Sequence, residues 1–213
     1  MKLVLASNNA KKLSELRALL AGLPLELVAQ AELGVAEAEE PHHSFIENAL
    51  LKARHAAQAS GCAAIADDSG VCVDALGGAP GVQSAHFAPL SAEAQRLSDR
   101  EARRRAQDAA NNALLLQRLQ GQPEPAQRRA MFVSTLVAVR HTGDPQPLVA
   151  VGRWPGHILH APRGTLGFGY DPLMFIAELN CSVAELDAER KNAVSHRARA
   201  MAQMLQLLRE VWV

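Results

Sequence analysis

Residues 44–73 read SFIENALLKARHAAQASGCAAIADDSGVCV, and this stretch decides the fold class. Ser44-Phe45-Ile46-Glu47 has the pattern of a capping box, in which a serine hydroxyl and a glutamate three residues on satisfy free amides at a helix start. Ile46, Ala49, Leu50 and Ala53 follow at helical spacing, which predicts a helix over about 44–60. Residues 63–66 then read as an apolar strand that ends at Asp67-Asp68-Ser69-Gly70, with 71–73 continuing past it. A capped helix followed by a buried strand belongs to an α/β architecture.

The same alternation extends outward in both directions. Residues 2–6 form an apolar run that stops at Ser7-Asn8-Asn9, and Leu13, Leu16, Leu19 and Leu20 then recur at helical spacing until Gly22 and Pro24. Residues 25–29 are a second strand candidate. The Gly77-Gly78-Ala79-Pro80-Gly81 run requires an irregular turn. Residues 91–119 predict one long polar helix, stopped by Gly121-Gln122-Pro123. Residues 131–140 and 148–154 predict an antiparallel hairpin turning at 141–147. A last helix is expected over 195–211, with Ala198, Met201, Leu205, Leu208 and Trp212 as its apolar stripe. No repeat or linker divides the chain, so the expectation is one α/β domain with a mixed sheet flanked by helices.

Composition narrows the function. The chain has 213 residues, 48% of them hydrophobic, enough for one substantial core. Lys and Arg total 22, as do Asp and Glu, so the net charge is zero. A general nucleic-acid binder needs excess positive charge to displace counterions, and that class is excluded; a small anionic ligand held by a local cluster is not. Cys62, Cys72 and Cys181 form no paired motif, which argues for free thiols rather than a zinc site or disulfides. The N-terminal apolar run is too short for a signal segment, and no stretch approaches the roughly 20 apolar residues of a membrane span. The expectation is a cytoplasmic protein with no membrane association.

Three groups of residues carry possible chemistry. Ser7-Asn8-Asn9-Ala10-Lys11-Lys12 joins a strand to a helix, where free amides and two lysines suit phosphate. Alone it also describes an ordinary capped helix, since it lacks the glycines of a phosphate-binding loop. Glu37, Glu39 and Glu40 precede the 44–60 helix, and Asp67-Asp68 close a strand. Magnesium asks for one or two carboxylates with waters and phosphate oxygens, so acidic residues from two elements suffice. Phe168-Gly169-Tyr170-Asp171-Pro172 follows a glycine-rich run and reads equally as aromatic faces offered to a base or as a structural turn packed by its aromatics. Lys191 and Ser195-His196-Arg197 add donors near the last helix. His42 and His43 read as loop residues, with no spacing that suggests metal ligation.

In this order and spacing these segments resemble the RdgB type of inosine triphosphate pyrophosphatase along nearly the whole chain. The resemblance rests on residues 5–12, on Ser44-Phe45-Ile46-Glu47-Asn48-Ala49 with Lys52-Ala53, and on Ala66-Asp67-Asp68-Ser69-Gly70. It continues through residues 73–82, Phe168-Gly169-Tyr170-Asp171-Pro172, Lys191 and Ser195-His196-Arg197. It implies an elongated α/β fold of two lobes with a central cleft, a homodimer, and hydrolysis of ITP, dITP or XTP to monophosphate and pyrophosphate. Carried over, Asp68 is the general base and a Mg2+ ligand, and Glu40 is the second metal carboxylate. Ser7, Asn8, Asn9, Ala10, Lys11, Lys12 and Ser69 contact the triphosphate. Phe168, Gly169, Tyr170, Asp171, Lys191, His196 and Arg197 hold base and phosphates. Two departures stand out. His86-Phe87 replaces the family's arginine-aromatic pair, which removes a charge or makes it pH-dependent. Residues 88–108 form an Arg-rich helical insertion relative to the family, expected to face solvent.

The implied selectivity has a physical basis. A 6-keto purine presents an acceptor at O6 and a donor at N1, and adenine presents the reverse. Main-chain amides with His196 and Arg197 as donors would accept the former and leave adenine mispaired. The nearest rival, a Maf-type pyrophosphatase, carries a Ser-Pro-Arg-Arg style first loop that this chain lacks. A non-catalytic nucleotide-binding regulator is the rival from another class, and the intact acidic pair counts against it.

Overall fold

The computed structural model describes residues 1–8, 13, 14, 16, 17, 20 and 22–212. Among the described residues seven strands form one mixed sheet in the order β2-β1-β3-β4-β5-β6-β7. They are β1 Lys2–Leu5, β2 Glu26–Ala29, β3 Ala63–Val73, β4 Arg129–Val139, β5 Leu148–Ile158, β6 Met174–Ile176 and β7 Cys181–Ser182. β1 runs parallel to both β2 and β3, whereas β6 is antiparallel to β5 and β7. Among the described residues, helices with defined bounds are α1 Phe45–Ser60, α2 Ala92–Gln95, α3 Arg100–Arg118, α4 Ala188–Val194 and α5 His196–Val211, and the helix expected after residue 12 lies partly outside the described residues.

The chain divides into two compact units, and the division falls inside β3, β4 and β5. Unit 1 comprises Met1–Asp68, Ser134–Gly152 and His196–Val213. Both faces of its strands are covered, as alternation along β1 makes plain. Leu3 and Leu5 join a cluster that includes Leu16, Leu20, Met204 and Leu208. Val4 and Ala6 belong to a second cluster with Ala49, Ala53 and Ala56 of α1. Successive strand side chains point to opposite faces, so an unbroken apolar run is what a doubly covered strand requires. Unit 2 comprises Ser69–Val133 and Arg153–Ser195. Its core gathers Val71, Leu115, Phe132, Trp154, Tyr170 and Met174 with other buried apolar residues.

Several sequence expectations shift. α1 starts where predicted, with Ser44 Oγ accepting from Glu47 N at 3.3 Å. Ile46, however, is exposed, because the buried face is Ala49, Ala53, Ala56 and Ala57. Asp67-Asp68 do not end a strand. β3 runs through them to Val73, beyond Ile65, where its register with β1 ends, and both carboxylates are buried. The long helix expected over 91–119 is broken into α2 and α3, because Asp99 caps a new start by accepting from Glu101 N at 2.9 Å. The last helix begins at His196. Ser195 is extended at ψ 164 and separates it from α4. Its buried stripe runs through Ala200, Met201, Met204 and Leu208, with Ala198 half-buried. No helix among the described residues is long and apolar enough to cross a membrane.

Candidate active site

In unit 1 one lysine links the two carboxylates named as metal ligands. Lys52 Nζ lies 3.0 Å from Glu40 Oε1 and 3.2 Å from Asp68 Oδ1. α1 supplies Lys52, β3 supplies Asp68, and the loop before α1 supplies Glu40. That loop is pinned twice by α1. Asn48 accepts from His42 N at 3.0 Å and donates to His42 O at 3.2 Å, and a His55 ring nitrogen lies 3.0 Å from Ala36 O. His42, read from sequence as a bystander, thus anchors the Glu40 loop through its backbone.

Burial dominates the electrostatics. It raises the Asp68 carboxyl to about 6, with Lys52 opposing the shift and Glu40 adding to it. Burial also works against the Lys52 ammonium, but Asp68 and Glu40 outweigh it and hold that group above its ordinary value. Asp68 Oδ2 is buried without a hydrogen-bond partner among the described residues. Asp67 points to the other face of β3, where its Oδ1 accepts from Ser134 Oγ at 3.2 Å. Asp68 is in salt-bridge contact with Lys52, and the charge of Asp67 also helps to raise that ammonium.

The first loop follows β1. Ala6 N donates to Ile65 O at 2.9 Å, and Asn8 Nδ2 donates to Glu37 Oε1 at 2.9 Å. Ser7 is half-buried. Asn9, Ala10, Lys11 and Lys12 lie outside the described residues. His196 opens α5 and is buried, with Arg197 half-buried beside it. Gly152 of β5 makes room for this helix start. A β-carbon there would overlap the His196 carbonyl and stand 2.5 Å from the Ala200 amide.

The remaining residues named from sequence lie in unit 2, beginning with Ser69, which follows Asp68 in β3 and is half-buried. Asp171 is buried, and its Oδ2 accepts from Phe168 N at 2.8 Å and from Lys191 Nζ. Gly169 N donates to Asp108 Oδ2, and Asn112 Nδ2 donates to Gly169 O, both at 2.9 Å. Asp171 N donates to Phe168 O at 3.2 Å. Three of the four amides at 168–171 are thus engaged inside the unit, which reduces what the main chain has to offer a base. Tyr170 is buried, its hydroxyl donates to Ser84 O at 2.9 Å, and burial pushes the phenol up. Phe168 is the exposed ring, at 39%. Lys191 Nζ is 4.5 Å and the Arg104 guanidinium 4.8 Å from its centroid, within cation–π range.

A Ham1 family model matches residues 3–207. The chain belongs to the Ham1 family. It is 68% identical over 213 residues to the dITP/XTP pyrophosphatase of Methylibium petroleiphilum, covering 100% of both chains. It is 64% identical to the dITP/XTP pyrophosphatase of Leptothrix cholodnii, covering 100% of this chain and 99% of that one. The solved structure of a HAM1 protein from Coxiella burnetii matches with a TM-score of 0.88 at 37% identity, covering 99% of this chain and 100% of that one.

In this Ham1-family chain the sequence reading missed Lys52 as a site residue. The signal was present. Positions 49, 52, 53 and 56 fall on one helix face, so a lysine at 52 interrupts an alanine stripe and needs acidic partners. Asp108 and Asn112 carried no comparable signal, because their partner, Gly169, is 61 and 57 residues away in sequence.

Proposed function

We propose that the chain is a magnesium-dependent pyrophosphatase that hydrolyses dITP, ITP and XTP to the monophosphate and pyrophosphate, acting as a homodimer. The names of its relatives at up to 68% identity support the substrate class. The single observation that carries the chemistry is Lys52 bridging Glu40 and Asp68, with Asp68 Oδ2 buried and unpaired among the described residues.

That donor set suits magnesium. It offers two hard carboxylates, one with an oxygen that no group among the described residues occupies, and magnesium takes its remaining ligands from water and phosphate. No cluster of three or more His, Cys, Asp or Glu side chains occurs among the described residues, and magnesium bound with substrate phosphates does not need one. Glu40 and Asp68 would hold the ion, which when bound supplies charge neutralisation at the phosphates.

The protein's own part follows from position and charge. A carboxyl raised to about 6 is ionised at neutral pH yet remains basic enough to take a proton. Asp68 accepts it from a water whose oxygen attacks the α-phosphorus, and the bond from that phosphorus to the bridging oxygen breaks as pyrophosphate leaves. The Lys52 ammonium stabilises negative charge beside Asp68. Lys12 and Lys191 are assigned to the leaving pyrophosphate; for Asn9, Ala10, Lys11 and Lys12 the assignment rests on sequence. Phe168 is assigned the base, with His196 and Arg197 as donors to O6. Pyrophosphate release from dITP, ITP, XTP, GTP and ATP, with magnesium, tests the reading. The 6-keto substrates dITP, ITP and XTP should outpace ATP by about a hundredfold or more in kcat/KM, and equal rates on all five would overturn the proposal.

A further inference from the structure

Gly169 is held at both ends by a single helix. Asp108 accepts its N–H and Asn112 donates to its carbonyl, each at 2.9 Å. The two residues are one turn apart on α3 and so face the same side. The orientation of the Asn112 amide follows from this contact, since the reversed amide would set oxygen against oxygen. Gly169 has φ +61, a left-handed conformation that glycine adopts without strain. One turn before Asp108, Arg104 reaches the Phe168 ring. Phe168 itself is too exposed to be fixed by core burial. Its placement depends on its own N–H, held by Asp171, and on the next residue, held by α3.

We infer that Asp108 and Asn112 are positioning residues for the nucleotide base, which lock the peptide after Phe168 and hold its ring ready for stacking. The inference rests on the proposed function, in which Phe168 carries the base. Neither residue touches the base. They act by removing in advance the ordering cost that a loose, exposed ring would add to every binding event. Residues 88–108, expected from sequence to be a solvent-facing insertion, thus end in a residue that shapes the site.

The test is steady-state kinetics on dITP and XTP in wild type, Asp108→Ala, Asp108→Asn, Asn112→Ala and Asn112→Asp, with inhibition by pyrophosphate and melting temperature measured alongside. Pyrophosphate has no base, so its inhibition constant reports the phosphate end alone. Asp108→Ala and Asn112→Ala should raise KM about tenfold or more while kcat stays within about threefold and the pyrophosphate constant is unchanged. Asp108→Asn keeps an acceptor for Gly169 N–H and should recover most of the affinity. Asn112→Asp sets an acceptor against the Gly169 carbonyl and should be at least as poor as the alanine variant. A KM within about twofold of wild type in both alanine variants overturns the inference, as does a pyrophosphate constant that rises in step with KM. If the alanine variants do not fold, the Asp108→Asn and Asn112→Asp pair decides, and equal KM values for the two overturn the inference. A wild type that turns over neither nucleotide overturns both this inference and the proposed function. Wild-type turnover with unaffected variants overturns this inference alone.

Discussion

Lys52 stands on a helix face otherwise made of alanine, and its ammonium is shared by two carboxylates. Lys52 and Asp68 are largely buried while Glu40 is exposed, so Lys52 keeps a solvated partner if Asp68 loses its charge. Asp68 is the informative member. Its folded-state carboxyl lies near 6, above the ordinary value of 3.8, so ionised Asp68 works against folding at neutral pH. The penalty is complete above about pH 6 and absent once the pH falls below the unfolded value, about 3.9. Asp68→Asn removes it. In EDTA at about pH 7.5 the variant should melt no lower than wild type, and the difference should shrink as the pH is taken down toward about 4. Turnover of dITP should meanwhile fall by about 10²–10⁴-fold, the usual value of a general base. A variant that keeps more than about a tenth of wild-type kcat would show that Asp68 is not the base.

At the scale of elements, β5 meets α5 closely at Gly152. Gly152 does not have a positive φ, so an alanine would suit its backbone but not its surroundings. The atoms a β-carbon would meet belong to the backbone of α5, at His196 and Ala200, and these cannot rotate away. Gly152→Ala should therefore cost about 1–3 kcal/mol of stability by overpacking, measured as a lower urea midpoint with an unchanged m-value. It should also disturb the start of α5, where His196 and Arg197 sit. An unchanged midpoint would mean that the helix shifts freely on the sheet. The break between α4 and α5 has a similar local cause: Ser195 is extended, so the residues assigned to base and phosphate begin a helix instead of continuing one.

At the scale of the whole molecule, the proposed roles fall to Glu40, Asp68, His196 and Arg197 in unit 1 and to Phe168 and Lys191 in unit 2. Two measurements test that assignment. Activity on dITP should fall to background in excess EDTA and return with magnesium, and full activity without a divalent ion would remove the metal role of Glu40 and Asp68. The second measurement concerns selectivity. If His196 and Arg197 donate to O6, their alanine variants should lose about ten- to hundredfold in kcat/KM on ITP and XTP and less on the residual turnover of ATP. An equal fall on every triphosphate would leave both residues as phosphate clamps, because the phosphates are common to all.

Local chemistry was legible in the sequence wherever it acts within a few residues. The Ser44 cap, the apolar strand before Asp67 and the helical period of α1 follow from spacing alone, because their partners lie within one or two turns. The order and spacing of the motifs named the family, though not the geometry. That Asp67 and Asp68 lie within a strand rather than at its end depends on β3 continuing to Val73, which its partners in the sheet decide. That Lys52 pairs with both Glu40 and Asp68, and that Asp108 and Asn112 hold Gly169, depends on helices docked against distant segments. A lysine, an aspartate or an asparagine has the same local propensity whether it faces water or a partner. Only packing, which excludes water and forces buried polar groups to pair, selects the partner.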